Sequence, residues 1–299
     1  MVMQPENRTL IATSELAHFA AIISRFLQSP ATSGARNDVT LMRAGQGHEF
    51  LDFRDYQAGD DMRHIDWRAS ARSQRAKVRT YYQEAGSDCF LCLDQSTSMR
   101  LHSDKWQQTQ KLVAALAYTY LFAGYRVALL CFSDGLRHYL PPGRGAAHFS
   151  RLVAKILEIP LTSVESSQGL KSCLPLLGTG EIFVLSDLFF STSVEESLSA
   201  LPHLMSSVHI LHMTSAGDFR LPPDQACMLV DCETQQRLGL VSHAQVQQAA
   251  AQHQEMEAKR LQQYCRSQRL RYTQADDQKH WREVLLAHFK PGQPHALTR

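Results

Sequence analysis

One loop brings together oxygen-bearing side chains that suit a small divalent cation. Asp94, Ser96 and Ser98 occupy alternate positions directly after the apolar run 89–93, which predicts a buried strand. A carboxylate and two hydroxyls are hard oxygen ligands, of the kind that Mg²⁺ or Mn²⁺ prefers in proteins. Asp187 follows another apolar run, and ligands of α/β sheets bind at the carboxyl ends of the strands. We therefore expect Asp187 to approach the Asp94 loop and to complete a metal site.

Two other interpretations of these residues remain open. In the first, Asp94 and Ser96 only cap the helix that we predict from Asp104, although the long intervening loop makes direct capping less natural. In the second, Asp94 and Asp187 serve a metal-dependent phosphohydrolase. Phosphatases of the haloacid dehalogenase type also begin with an aspartate at a strand end. They use a second aspartate two residues later, where this chain has Ser96, so we favour binding over hydrolysis.

The elements that would position these residues alternate between short apolar strands and amphipathic helices. This alternation predicts an α/β fold with a mainly parallel, Rossmann-like sheet and helices on both faces. Strands are predicted at 77–83, 89–93, 126–132, 181–185, 208–213 and 270–273. Helices are predicted at 12–29, 104–122, 146–157, 194–201, 242–265 and 277–289, and a hairpin is predicted to pair 226–230 with 236–240.

Composition and motifs argue against several functional classes. The 299 residues carry 31 basic and 29 acidic side chains, a balance that gives no support for nucleic-acid binding. No apolar run approaches the roughly 20 residues that cross a bilayer, and residues 1–10 lack a signal-peptide core. We therefore expect a cytoplasmic protein without stable membrane insertion. The sequence has no Walker loop, GxSxG motif or HExxH motif, so we expect no enzyme activity.

The seven cysteines are scattered and lie mostly in apolar stretches, which is typical of reduced, buried thiols. Cys89 and Cys92 have the spacing of a CxxC motif. Residues three apart on a strand face opposite sides of the sheet, so we expect neither a redox nor a zinc role for this pair.

A charge-dense and aromatic stretch, 49–85, precedes the main predicted sheet. It forms either a docking surface for a partner or a buried network of ion pairs anchored by Trp67. We favour the structural role, because isolated ion pairs at a surface contribute little to stability. The side chains that we single out are Arg54, Asp60, Asp61, Arg63, Asp66 and Trp67. We place this stretch and the first predicted helix in an N-terminal segment, 1–84, that packs on a main domain, 85–299.

The charged stretch also resembles the signature of a known family. Residues 43–72, and above all 54–67, are similar to a bacterial family of MoxR-associated, von Willebrand factor A-like proteins, domain of unknown function fifty-eight. The resemblance implies a von Willebrand factor A-like fold with a family-specific N-terminal segment. It also implies frequent pairing with a MoxR-type AAA+ ATPase and a role in the assembly or maturation of other proteins. We therefore expect this ATPase or its client protein as the partner.

The metal residues resemble the metal-ion-dependent adhesion site of von Willebrand factor A domains. The run 94–98 matches the first motif of that site, and Asp187 matches the third. The second motif has a threonine where this chain has Gln168, with Ser167 beside it as an alternative ligand. In such sites a partner's carboxylate completes the coordination of Mg²⁺, so the resemblance implies a metal-dependent, protein-binding adaptor. A scaffold whose metal site is inactive remains the alternative, because Gln168 departs from the pattern.

Overall fold

The structure is a computed structural model that describes most of the chain between residues 10 and 290. The described residues are 10–27, 44–45, 49–55, 66–67, 70, 72, 75–82, 88–159, 169–190, 193–215, 217–218, 225–231, 236–242 and 244–290. The chain divides into two compact units: residues 1–29 and 87–297 form the larger unit, and residues 30–86 form the smaller unit.

The elements are named here in chain order. They are α1 (Thr13–Leu27), β1 (Ala44–Gly45), β2 (Glu49–Asp55), β3 (Lys77–Tyr82), β4 (Asp88–Asp94), α2 (Thr97–Arg100), α3 (Ser103–Phe122), β5 (Arg126–Phe132), β6 (Leu136–Gly143), α4 (Gly145–Glu158), α5 (Gly169–Cys173), β7 (Gly180–Ser186), α6 (Val194–Leu198), α7 (Leu201–Leu204), β8 (Ser207–Thr214), β9 (Gln225–Val230), β10 (Arg237–Ser242), α8 (Ala244–Ser267), β11 (Arg271–Asp276) and α9 (Trp281–Phe289). In the smaller unit, β3 pairs antiparallel with both β1 and β2. Among the described helices, none is long and apolar enough to cross a membrane.

The larger unit is built on a six-stranded sheet in the order β11-β8-β7-β4-β5-β6. Every neighbouring pair is parallel except β5 and β6, which run antiparallel at one edge. The predicted α/β fold with a mainly parallel sheet is therefore confirmed. Strands β9 and β10 form a separate antiparallel hairpin, as the sequence predicts.

Proline explains two of the differences between the larger unit and the sequence prediction. The sequence does not predict β6, because Pro141 and Pro142 argue against a strand. An edge strand tolerates proline, since one of its sides needs no hydrogen bonds to a neighbouring strand. The predicted helix 194–201 is instead two short helices, α6 and α7, with Pro202 in the first turn of α7. Proline suits a first turn because its missing N–H would have no helical partner there.

Buried apolar clusters cover both faces of the six-stranded sheet. Along β4, Leu91 and Leu93 belong to one cluster, whereas Phe90 and Cys92 belong to the other. Helices α1, α3, α4 and α9 contribute side chains to the first cluster, and α5, α6, α7 and α8 contribute to the second. Cys89 lies in the first cluster and Cys92 in the second, which confirms that the pair faces opposite sides. Five cysteines are buried free thiols: Cys89, Cys92, Cys131, Cys173 and Cys265.

Helix α1 belongs to the larger unit, which differs from the predicted division into 1–84 and 85–299. Its side chains Leu16, Phe19 and Ile23 are buried in the first cluster. The ring of Phe19 meets the ring of Trp281 edge to face, with the ring centroids 4.9 Å apart. The apolar face of α1 therefore decides where the helix lies, although the sequence analysis groups α1 with the charged stretch in one N-terminal segment.

Replacing Phe19 tests the placement of α1. Phe19→Ala should lower the free energy of unfolding by about 3–5 kcal/mol, because it removes a buried ring and leaves a cavity. Ile22→Ala is the matched control: Ile22 lies on the same helix, its side chain is 39% exposed, and its loss should cost much less. Urea denaturation of both variants measures the difference, and equal small losses would contradict the burial of α1.

Candidate functional site

Asp94 ends β4, and its side chain is buried with 1% of its surface exposed. The backbone N–H of Ser96 donates a hydrogen bond to Oδ1 of Asp94 at 2.9 Å. The hydroxyl of Ser186, the last residue of β7, donates to Oδ2 at 2.6 Å. Two neighbouring strand ends therefore fix the orientation of this carboxylate.

Two serine hydroxyls follow Asp94 in the same loop. The Ser96 side chain lowers the pKa of Asp94, and the hydroxyls of Ser96 and Ser98 hydrogen-bond each other with their oxygens 3.1 Å apart. Ser96 is the N-cap residue of the short helix α2 but makes no side-chain capping bond, and His102 is the N-cap residue of α3. The interpretation of Asp94 and Ser96 as caps of the helix predicted from Asp104 is therefore wrong.

Asp187 directly follows β7 and is 2% exposed. The side chain of Ser98 lies near Asp187 and lowers the pKa of its carboxyl, which relates this aspartate to the Asp94 loop. Leu188 has a φ of 61°, a left-handed conformation that bulky residues rarely adopt, and the N–H of Phe189 donates to Oδ1 of Asp187 at 3.4 Å. This tight turn holds Asp187 at the carboxyl edge of the sheet. The structure thus places Asp94, Ser96, Ser98 and Asp187, four of the predicted ligands, at the same edge of the sheet.

Lys105 and Asp218 join the site, although sequence reasoning missed both. The Lys105 side chain, in the first turn of α3, is 0% exposed. Its ammonium donates to Oδ2 of Asp187 at 3.1 Å and to Oδ1 of Asp218 at 3.0 Å. The sequence did contain a signal for Lys105. Helical spacing places this charged residue on the same face as Thr109 and Leu112, the face that the helix buries.

The two site carboxylates influence each other's protonation. Burial raises the pKa of Asp94 to about 7, and the negative charge of Asp187 adds to this rise. Burial also raises the pKa of Asp187, but the neighbouring Lys105 ammonium opposes that rise. Negative charge at Asp94 is therefore poorly compensated by the protein alone, and a bound cation would favour the ionised carboxylate.

The second metal motif is outside the part of the chain that the structure describes, since that part omits both Gln168 and Ser167. The described residue that follows them, Gly169, begins α5 against the end of β5. A Cβ atom on Gly169 would lie 1.9 Å from the carbonyl oxygen of Ser133, so only glycine fits this close approach. Within the described residues, no group of three or more histidine, cysteine or acidic side chains is arranged to hold a metal. The candidate site therefore depends on serine hydroxyls as well as carboxylates.

Among the described residues of the charged stretch, Trp67 does not have the buried position that the favoured ion-pair network requires. The described residues omit Asp60, Asp61 and Arg63. Arg54 lies in β2, and the backbone N–H of the buried Asp66 donates to the carbonyl of Lys77 at 2.9 Å. The Trp67 side chain is 72% exposed, so it cannot serve as the buried anchor of an ion-pair network.

A cavity of about 300 Å³ adjoins the site on the side of Asp187 and Asp218. Its walls include the aromatic rings of Phe189 and Phe190 and the aliphatic side chain of Leu261 from α8. Volumes of this order suit a small ligand or one or two side chains of a protein partner.

A family model described as protein of unknown function DUF58 matches residues 52–260. The chain belongs to the DUF58 family. The matched range begins in β2 of the smaller unit and includes β4, which ends in Asp94, and β7, which Asp187 follows.

Relatives of this DUF58 chain include uncharacterised proteins of Mycobacterium bovis and of two strains of Mycobacterium tuberculosis, each 29% identical over 119 residues. The matched segment is 39% of this chain and spans 38% of each relative's length. A crystal structure of the conserved hypothetical protein BatB from Bacteroides thetaiotaomicron is similar with a TM-score of 0.41 and 14% identity. That similarity covers 68% of this chain and 97% of the other.

The raised pKa of Asp94 predicts how stability depends on pH. A carboxyl with a pKa of about 7 when folded and 3.8 when unfolded binds a proton preferentially in the folded protein. Its contribution to stability is therefore complete below about pH 4 and is lost as the pH rises through about 7. In EDTA, wild type should lose stability over this interval relative to Asp94→Asn, by about 1.4 kcal/mol for each unit of pKa difference. Urea denaturation at a series of pH values measures this loss. Identical stability profiles for wild type and Asp94→Asn would refute the raised pKa of Asp94.

Proposed function

We propose that this chain is a non-enzymatic, protein-binding adaptor with a metal-ion-dependent adhesion-type site on a von Willebrand factor A-like fold. The convergence of Asp94, Ser96, Ser98 and Asp187 at the carboxyl edge of a parallel sheet is the main support. These side chains come from loops after two adjacent strands, β4 and β7. Ligand sites of open α/β sheets are found at this edge.

The oxygen spacing fits a small divalent cation. Mg²⁺ binds oxygen at about 2.1 Å with near-octahedral angles, so neighbouring ligand oxygens lie about 3.0 Å apart. The hydroxyls of Ser96 and Ser98 hydrogen-bond each other, and the 3.1 Å between their oxygens is also compatible with that spacing. The side-chain oxygen of Gln95 in the same loop is buried and lacks a hydrogen-bond partner within the described part of the chain. A loop with oxygen ligands and an unsatisfied oxygen favours a cation.

The roles of the residues follow from their contacts. Asp94, Ser96, Ser98 and Asp187 would hold Mg²⁺ or Mn²⁺, with Gln168 or Ser167 as the proposed further ligand. Ser186 keeps Asp94 in a fixed orientation through the 2.6 Å hydrogen bond. The cation would supply a positive charge with open coordination positions, which a carboxylate of the partner can fill. The chemistry is then recognition without turnover.

The partner that we propose is a MoxR-type AAA+ ATPase or its client protein, in the assembly or maturation of other proteins. The family resemblance of the charged stretch supports this choice. The cavity beside Asp187 supports a protein partner, because its aromatic and aliphatic walls could receive a side chain next to the captured carboxylate. The exposed Trp67 provides a second surface in the smaller unit that suits protein contact.

A scaffold with an inactive metal site is the second candidate, and Lys105 favours it. The Lys105 ammonium already binds Asp187, so part of the positive charge that a metal would bring is present in the chain itself. The phosphohydrolase alternative is weaker. Both oxygens of Asp94 accept hydrogen bonds and the side chain is 1% exposed, which weighs against its attack on a phosphate ester.

Thermal unfolding with and without Mg²⁺ tests the metal site. Mg²⁺ at ten times its dissociation constant should stabilise wild type by about 1.4 kcal/mol, which raises Tm by roughly 2–4 °C. Asp94→Asn should abolish this shift, whereas Asp104→Asn should keep it, because Asp104 is an exposed acidic residue outside the site. A shift of equal size in all three proteins would indicate non-specific Mg²⁺ binding and contradict the proposed site.

Co-elution with a MoxR-type ATPase tests the adaptor function. A complex should form in Mg²⁺, dissociate in EDTA and fail to form with Asp94→Asn. A complex that persists in EDTA and with Asp94→Asn would support the scaffold with an inactive metal site. Turnover of p-nitrophenyl phosphate in Mg²⁺ that is lost in Asp94→Asn would instead support the phosphohydrolase.

A further inference from the structure

A fully buried lysine stands beside the candidate metal site. Lys105 extends from the first turn of α3, and none of its side chain is exposed. Its ammonium binds Asp187 at 3.1 Å and Asp218 at 3.0 Å. These aspartates follow it by 82 and 113 residues, so the ammonium joins three distant segments at the carboxyl edge of the sheet.

Burial of an ammonium is unfavourable unless nearby carboxylates compensate it. Lys105 has such compensation from two carboxylates, and removing it would leave both of them without their buried cation. Well-packed apolar residues often replace buried ion pairs without loss of stability, so stability alone does not account for a lysine here. Its position next to a predicted metal ligand suggests a role in the charge of the site.

Asp187 is shared between Lys105 and the candidate metal site. Oδ2 of Asp187 accepts from the ammonium, and the Ser98 side chain of the metal motif lies near enough to the same carboxylate to lower its pKa. A cation bound by Asp94, Ser98 and Asp187 would therefore have the Lys105 ammonium on the far side of one of its own ligands. Two positive charges that share one carboxylate repel each other, and the repulsion is strong where water is excluded.

We propose that Lys105 is a tethered counter-cation that stabilises the metal-free site and weakens its affinity for a divalent cation. This inference deepens the proposed function and rests on it. While the metal is absent, the ammonium holds Asp187 and Asp218 in place. A bound divalent cation would compete with the ammonium for the Asp187 carboxylate. The chain therefore remains folded without metal, and metal occupancy is reversible.

Removal of the ammonium tests the inference. In Lys105→Met, isothermal titration calorimetry should give a Mg²⁺ dissociation constant at least about tenfold lower than in wild type. The variant should also melt at a lower temperature than wild type in EDTA and recover more stability than wild type when Mg²⁺ is added. Lys111→Met is the matched control: Lys111 lies on the same helix outside these ion pairs, so its removal should leave the Mg²⁺ affinity unchanged.

A second variant keeps the test decisive if Lys105→Met does not fold. Lys105→Met/Asp218→Asn removes one charge of each sign and leaves Asp187 without the competing ammonium. It should also bind Mg²⁺ more tightly than wild type. Binding by Lys105→Met or the double variant, with none detectable in wild type, would likewise support the inference.

Two outcomes would overturn the inference, and they are distinguishable. If wild type binds Mg²⁺ and the folded Lys105 variants bind it with the same or lower affinity, Lys105 does not restrain the metal and the proposed metal site stands. If neither wild type nor any folded Lys105 variant binds Mg²⁺, the metal site itself is refuted and the inference falls with it.

Discussion

Burial of carboxylates at the carboxyl edge of one parallel sheet is the constraint on which the rest of the site depends. Asp94, Asp187 and Asp218 are all largely removed from water. An ionised carboxylate in such a place is unfavourable unless hydrogen bonds and opposite charge replace its hydration. Nearby groups replace that hydration: the Ser96 N–H and the Ser186 hydroxyl bond Asp94, and the Lys105 ammonium bridges Asp187 and Asp218.

At the amino ends of the same strands, a buried carboxylate is stabilised in a different way. Glu181, near the start of β7, accepts hydrogen bonds from the hydroxyls of Tyr120 at 2.5 Å and Tyr125 at 3.3 Å. Although burial alone would raise its pKa, hydrogen bonding from His209 and the two tyrosines holds the pKa of Glu181 below its ordinary value. Hydrogen bonds within the protein are therefore enough to keep Glu181 ionised at the amino edge. At the carboxyl edge, by contrast, the pKa of Asp94 remains raised to about 7. This asymmetry supports the carboxyl edge as the place where a ligand binds.

The position of α3 connects the core to the site. Its apolar side chains, including Leu112 and Leu116, pack in the first cluster together with α1 and α9. The same packing brings the first turn of α3 to the carboxyl edge of the sheet, where Lys105 meets Asp187 and Asp218. The position of the Lys105 ammonium thus depends on the packing of α3 in the core. The burial of α1 at Phe19 supports that packing in turn.

The sequence by itself determined the α/β alternation, the mainly parallel sheet and the meeting of Asp94 with Asp187. Each follows from local patterns: apolar runs define strands, and strand ends of a parallel sheet share one edge. The edge strand β6 was not predictable, because its prolines are tolerated only where the tertiary structure leaves one side of a strand unpaired.

Tertiary structure alone decided the partners of Lys105, the burial of α1 against Trp281 and the exposure of Trp67. These features depend on contacts between segments far apart in the chain. Local patterns carry no record of such contacts, because a side chain of the same type is equally compatible with a buried pair or a solvated surface.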